Sequence, residues 1–161
     1  MITEVTPNDA KAIAEIYNHY VMESVATFDT EPWSKEKMRE RIEELSKDFP
    51  YIVYRLTDGE IAGYCYAHPW KEKDAYRLTL ETTVYISPAH TGKGIGKELM
   101  TRLIDDCRRK GFRTLIACIT QDNDASFRLH EKLGFEKVSH FRNVGMKFDR
   151  WLDVIDYELI L

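Results

Sequence analysis

Nowhere in this sequence do apolar residues run on for anything near the roughly 18–20 positions that a bilayer span requires. The first twenty residues carry Glu4, Asp9 and Glu15 in place of the basic-then-apolar pattern of an export signal. A soluble, cytoplasmic protein without a membrane partner is the expectation. Cysteine is scarce: Cys65, Cys107 and Cys118 are odd in number, far apart and lack C-x-x-C spacing, so neither a disulfide framework nor a zinc knuckle is supported. No metal is expected, and the three read as buried thiols. Excess positive charge is also missing. With 23 Lys and Arg against 27 Asp and Glu the net charge is −4, which argues against a nucleic-acid surface but leaves room for local cationic pockets. Only 8 Gly and 5 Pro punctuate 161 residues, with no repeat, linker or low-complexity tract, so residues 1–161 are expected to form one domain.

What is present is a mixture of two periodicities. Ile2 to Val5 reads as a short strand, and Thr6-Pro7-Asn8-Asp9 opens a helix with Ala12, Ile13, Ile16, Tyr17 and Tyr20 on one face. After an aperiodic stretch from Thr27 to Trp33, Ser34 caps a second helix with Met38, Ile42 and Leu45 as its stripe. Tyr51 to Leu56 and Glu60 to Ala67 form a predicted hairpin about Asp58-Gly59, and a longer strand is expected from about Arg77 to Ile86. Helical spacing returns from Gly94 to Lys110. Thr114 to Thr120 then reads as a strand, Ala125 to Leu133 as a helix, and the remainder as two strands around Val144 to Arg150. This order predicts an α/β domain of the mixed α+β kind, a central, mostly antiparallel sheet flanked by helices. Its βαβ unit (77–86, 94–110, 114–120) has a turn where a ligand is expected.

That turn reads Ser87-Pro88-Ala89-His90-Thr91-Gly92-Lys93-Gly94-Ile95-Gly96-Lys97. Alternate glycines let backbone approach a ligand, and the N–H groups of the helix start remain free for an anion. The plainer alternative is a tight strand-to-helix turn. A Walker loop would need Ser or Thr after Gly96-Lys97, where Glu98 stands, and a dinucleotide fingerprint would need G-x-G-x-x-G. Neither fits.

The segment does resemble motif A of the GNAT superfamily of N-acetyltransferases, Q/R-x-x-G-x-G/A, with Thr91 standing where Gln or Arg is usual. Downstream, Asn123 to Phe135 is similar to motif B of the same superfamily. Ile16 to Tyr20, Thr27 to Pro32, Gly63 to Ala67, Pro69-Trp70, Ala75 to Arg77, Glu81 to Ile86 and Val144 to Val154 are similar to phosphinothricin acetyltransferases, over nearly the whole chain. Asp149 stands where that tail commonly has Gly. The resemblance implies the acyl-CoA N-acyltransferase fold. It also implies transfer of acetyl from acetyl-CoA to the α-amino group of a small amino-acid analogue, of phosphinothricin, methionine sulfone or methionine sulfoximine type, usually by a homodimer. Other acceptors on the same cofactor site, a protein N-terminus or a polyamine, stay open, as does an acyl-CoA-binding sensor without catalysis.

Strand alternation puts Glu81 with Thr79, Thr83 and Tyr85, opposite Leu78, Leu80 and Val84. A partly desolvated carboxylate there could accept a proton from an amine nucleophile; a plain exposed glutamate is the alternative. His130, four residues after Ser126, is a candidate acid for the leaving thiolate or a packed helix histidine. The resemblance implies cofactor contacts from the backbone of Val84, Tyr85 and Ile86 and from Gly92, Lys93, Gly94, Ile95, Gly96 and Lys97, with Asn123 and Ser126 at the pantetheine arm. It also implies Phe28, Lys71, Glu72, Lys73, Glu81, Thr82 and Thr83 as the substrate positions. Lys71, Lys73 and Arg77 offer the cations that a carboxylate or phosphinate needs.

Overall fold

A computed structural model describes residues 1–161. Its elements are β1 (Ile2–Glu4), α1 (Ala10–Glu23), α2 (Lys35–Leu45), β2 (Tyr51–Arg55), β3 (Ile61–Pro69), β4 (Thr79–Ile86), α3 (Ile95–Arg109), β5 (Thr114–Thr120), α4 (Asp124–Lys132), β6 (Glu136–Lys147) and β7 (Arg150–Ile160). The strands form one sheet in the order β1-β2-β3-β4-β5-β7-β6. Every pairing is antiparallel except β4 with β5, the parallel pair that α3 connects. No helix is long and apolar enough to cross a membrane.

Each face of the sheet buries its own helices. On α3, Ile95, Leu99, Met100, Leu103, Ile104 and Cys107 recur at helical spacing, and all are buried against Cys65, Leu80, Leu115 and Ala117 of the sheet. Burying each large aliphatic side chain contributes about 1.5–3 kcal/mol. On the opposite face Ile13 and Ile16 of α1 meet Met38, Ile42 and Leu45 of α2 over Val53 and Tyr64. The Ser34 hydroxyl accepts from Lys37 N at 3.1 Å and so starts α2 where the cap is predicted.

The β4–β5 ladder is short. It pairs Thr79 with Thr114, Leu80 with Leu115 and Glu81 with Ile116, and stops, although β4 continues to Ile86 and β5 to Thr120. The two strands fork, and a cleft opens between them.

Three sequence expectations change. The strand predicted from Arg77 begins at Thr79, because Asp74–Tyr76 is a 3-10 turn ending at Arg77, and Leu78 lies 45% exposed outside the core. The last two strands are much longer than the stretch around Val144 to Arg150 and flank a two-residue turn, Phe148-Asp149. Cys65 and Cys107 are buried thiols, but Cys118 is exposed, because it lies on the face of β5 where the fork opens.

Candidate active site

The fork contains a cleft of about 750 Å³ that runs from the glycine turn to the C-terminal end of α1. At one end, Gly94 precedes α3 with a left-handed φ of 81°, a conformation that costs a side-chain-bearing residue about 1 kcal/mol or more. No side chain caps α3, so its first N–H groups are free to meet an anion. Gly92, Gly94, Gly96 and Lys97 line this end, joined by Arg128 and Lys132 from α4. Two of the expected cofactor contacts in the turn, Lys93 and Ile95, do not line it. The Lys93 ammonium turns back to donate to Ala89 O at 3.1 Å, and the Ile95 side chain is the first of the α3 apolar stripe and enters the core.

Along the middle of the cleft runs the edge of β4 from Thr82 to Ile86, which has no partner strand on the β5 side. Backbone polar groups left open in this way need a partner: Tyr20 OH supplies one by donating to Ile86 O at 2.6 Å, and an extended ligand carrying amides can meet the others. Thr82 braces the point of divergence, its buried hydroxyl donating to Ile116 O at 3.4 Å. Asn123 caps α4 by accepting from Ser126 N, and both residues face the cleft.

His130 also lines the cleft, but it is 3% exposed and its Nδ1–H donates to Ser126 O at 2.8 Å, with the Ser126 hydroxyl 3.2 Å away. Burial lowers its pKa, so the ring stays neutral, packed edge-on against Phe135.

The other end of the cleft holds Glu81, Thr83 and Phe28, as expected, together with Tyr17, Tyr20, Tyr66 and His68, which were not singled out from the sequence. Glu81 is partly buried. Burial raises its pKa, the Cys118 thiol donating to it opposes the rise, and Asp156 adds to it. His68 Nε2 stands 3.9 Å from Glu81 Oε1, but burial and the neighbouring Arg41 lower the pKa of that imidazole, so it is a polar neighbour rather than a counter-ion. Although Cys118 is exposed to the cleft, partial desolvation of its thiol and the nearby Glu81 and Asp156 carboxylates raise its pKa, which disfavours the thiolate. Helix periodicity could have found Tyr17 and Tyr20, which lie on the predicted apolar face of α1. Nothing in the sequence sets Cys118 beside Glu81, because strand register does that.

The charged run Lys71, Glu72 and Lys73 does not line the cleft, and neither does Arg77. Lys71 instead lies over the Trp70 ring at 4.2 Å, and Arg77 pairs with Asp74. These cations flank the 3-10 turn before β4, and no Lys or Arg is among the lining residues of the end that holds Glu81.

The lining therefore fits an extended chain of amides ending in phosphates, delivered to a carboxylate of raised pKa. A family model described as an acetyltransferase (GNAT) domain matches residues 2–155. The chain is 42% identical over 153 residues to a phosphinothricin N-acetyltransferase of Streptomyces coelicolor, covering 93% of this chain and 90% of that protein. It is 38% identical over 161 residues to an L-methionine sulfoximine/L-methionine sulfone acetyltransferase of Salmonella typhimurium, covering 95% and 90%. A solved GNAT superfamily phosphinothricin acetyltransferase from Sinorhizobium meliloti in complex with acetyl-CoA superposes with a TM-score of 0.97 at 35% identity, over 100% of this chain and 88% of that one. With a family model over nearly the whole chain and a solved relative that superposes over all of it, the chain belongs to the GNAT acetyltransferase family.

Proposed function

We propose that the protein transfers acetyl from acetyl-CoA to the α-amino group of a small amino-acid analogue, of phosphinothricin, methionine sulfone or methionine sulfoximine type. The observation that carries this reading is Glu81: a carboxylate of raised pKa at the point where β4 and β5 diverge, beside the open edge of β4. The phosphates of acetyl-CoA lie at Gly92, Gly94, Gly96 and Lys97, its amides pair with Val84 to Ile86, and Asn123 and Ser126 flank the arm. The acceptor ammonium gives one proton to Glu81, directly or through a water. The neutral amine then attacks the thioester carbonyl, with an open N–H of β4 facing the oxygen that gains charge. The C–N bond forms and the C–S bond breaks. The second amine proton passes to the departing thiolate, directly or through water, to give the free thiol, and Glu81 returns its proton to solvent. The lowered pKa of His130 and its Nδ1 directed at Ser126 O support a packing role in α4 over proton delivery.

The names of the curated relatives support the amino-acid acceptor. One observation favours a second reading, a polyamine or a protein N-terminus: no Lys or Arg is among the lining residues of the acceptor end, the nearest guanidinium, Arg41, standing behind Tyr66 and His68. A panel of amino-acid analogues, polyamines and peptides assayed for free CoA thiol separates the two. Turnover of methionine sulfone, methionine sulfoximine or phosphinothricin is expected, and activity confined to polyamines or peptides would replace the first reading with the second.

The chain acts as one catalytic domain and pairs as a homodimer. Support comes from the unpaired edge of β6 and from Val138, Phe141, Val144, Met146 and Trp151, each more than half exposed on the β6–β7 hairpin. Sedimentation at micromolar concentration tests the pairing, with a mass of one chain as the opposing result.

A further inference from the structure

Apart from Val154, which lines the cleft, the stretch from Val144 to Val154 has no part in holding acetyl-CoA or in moving protons, yet its first half contains two unusual environments. Lys147 is a buried lysine, only 3% exposed. Its ammonium donates to Ser24 O at 2.7 Å, to Thr27 O at 2.8 Å and, more weakly, to Tyr20 O at 3.4 Å. Those carbonyls belong to the last turn of α1 and to the irregular segment that follows it. A cation is favoured at a helix C-terminus, and three carbonyls there repay much of the cost of burying it. The second environment is Gly145. A Cβ at this position would lie 2.5 Å from Phe28 Cζ and closer still to Cε2, so the Phe28 ring rests directly on Gly145 backbone. Residues 24–28 are thus held from the far end of the chain, by a hairpin more than a hundred residues away in sequence.

We propose that the tip of the β6–β7 hairpin sets acceptor specificity, with Lys147 and Gly145 as positioning residues that seat Phe28 as a wall of the acceptor end of the cleft. This rests on the assignment of the Glu81 end as the acceptor site. The other side of the segment is anchored independently. Tyr17 OH donates to Asp29 Oδ2 at 2.5 Å, Trp33 Nε1 donates to the same oxygen at 2.9 Å, and Tyr85 OH donates to Ala26 O at 3.3 Å. With both flanks tied, the position of the Phe28 ring is decided by what it rests on. Gly145 leaves the ring as deep as backbone allows, and any side chain there pushes it toward the acceptor.

The test is steady-state kinetics of Gly145→Ala and Lys147→Met, with whichever amine the wild-type enzyme acetylates and with a second amine of different bulk. Lys147→Met should raise the acceptor KM about tenfold or more, the loss of charge-assisted hydrogen bonds being read as misplacement of Phe28. Gly145→Ala should change the ratio of kcat/KM between the two amines by about fivefold or more. In both, the acetyl-CoA KM should stay within about twofold, a split that general destabilisation does not produce. In a Phe28→Ala background, Gly145→Ala should change the acceptor KM by less than about twofold, because the contact it disturbs is gone. Folded variants with unchanged acceptor KM and unchanged discrimination overturn the proposal, as does an equal rise in both KM values. A wild-type enzyme inactive on every amino-acid analogue would instead overturn the acceptor reading, and the same variants measured on its true amine would still decide the role of the hairpin.

Discussion

The two ends of the cleft are built in opposite ways. The phosphate end is local: Gly92 to Lys97 supply a turn, a helix start and a cation within six consecutive residues, and only Arg128 and Lys132 come from elsewhere. The acceptor end draws on α1, the segment after it, β3, β4 and β5, and its Phe28 wall is set by β6. A group that every reaction of one chemistry shares can be met by a short motif of backbone amides. A pocket that must distinguish one small amine from another needs side chains placed at several angles, and only separate elements provide them.

Replacing the base should have the largest effect and confine it to the acceptor end. Glu81→Gln is expected to lower kcat by about 10²–10⁴-fold at neutral pH while leaving acetyl-CoA affinity unchanged by calorimetry. A base must be deprotonated to work, and burial raises the Glu81 pKa. The wild-type kcat/KM should therefore fall with decreasing pH above the ordinary carboxylate range, and the variant should lose that limb. An unchanged limb in Glu81→Gln would assign the proton to another group.

The mirror experiment is Gly94→Val. A side chain at a φ of 81° is strained and projects into the open space where phosphate oxygens would lie, so acetyl-CoA affinity should fall by about tenfold or more. The acceptor KM, measured at saturating acetyl-CoA, should move far less. Unaltered binding by a folded Gly94→Val protein would detach the glycine turn from the cofactor. Lys97→Ala is a gentler version. Its loss should weaken acetyl-CoA by only about three- to tenfold, and the difference from wild type should shrink as salt is raised, because an exposed cation is screened.

The smallest effect is expected at the hairpin turn. Phe148 and Asp149 both adopt left-handed φ, 53° and 55°, between strands paired at Lys147 and Arg150. Such a two-residue turn favours glycine at its second position. Asp149→Gly should stabilise the protein by about 0.5–1 kcal/mol in thermal unfolding, with kinetics unaltered. A loss of stability would mean that the Asp149 side chain contributes more than its backbone strain costs.

Much of this molecule was legible before any coordinates. The helical spacing of Ile95 to Cys107, the Ser34 cap, the Asp58-Gly59 turn and the alternation about Glu81 are local patterns, and each produced the expected element. The boundary before β4 was missed, because Asp74 to Tyr76 forms a 3-10 turn where propensity alone extends the strand to Arg77. Lys71 and Lys73, which the resemblance implies on the substrate side, and Arg77 beside them do not line the cleft.

By itself the sequence determined the two amphipathic layers, the mixed sheet and the glycine turn, because periodicity and backbone conformation are properties of neighbouring residues. Tertiary structure alone decided where β4 and β5 part, that Cys118 meets Glu81, that His130 spends its Nδ1–H on Ser126 O, and that Lys147 and Gly145 reach the segment of Phe28. Those relations depend on strand register and on contacts between distant parts of the chain, and both are settled only when the whole sheet closes around its two cores.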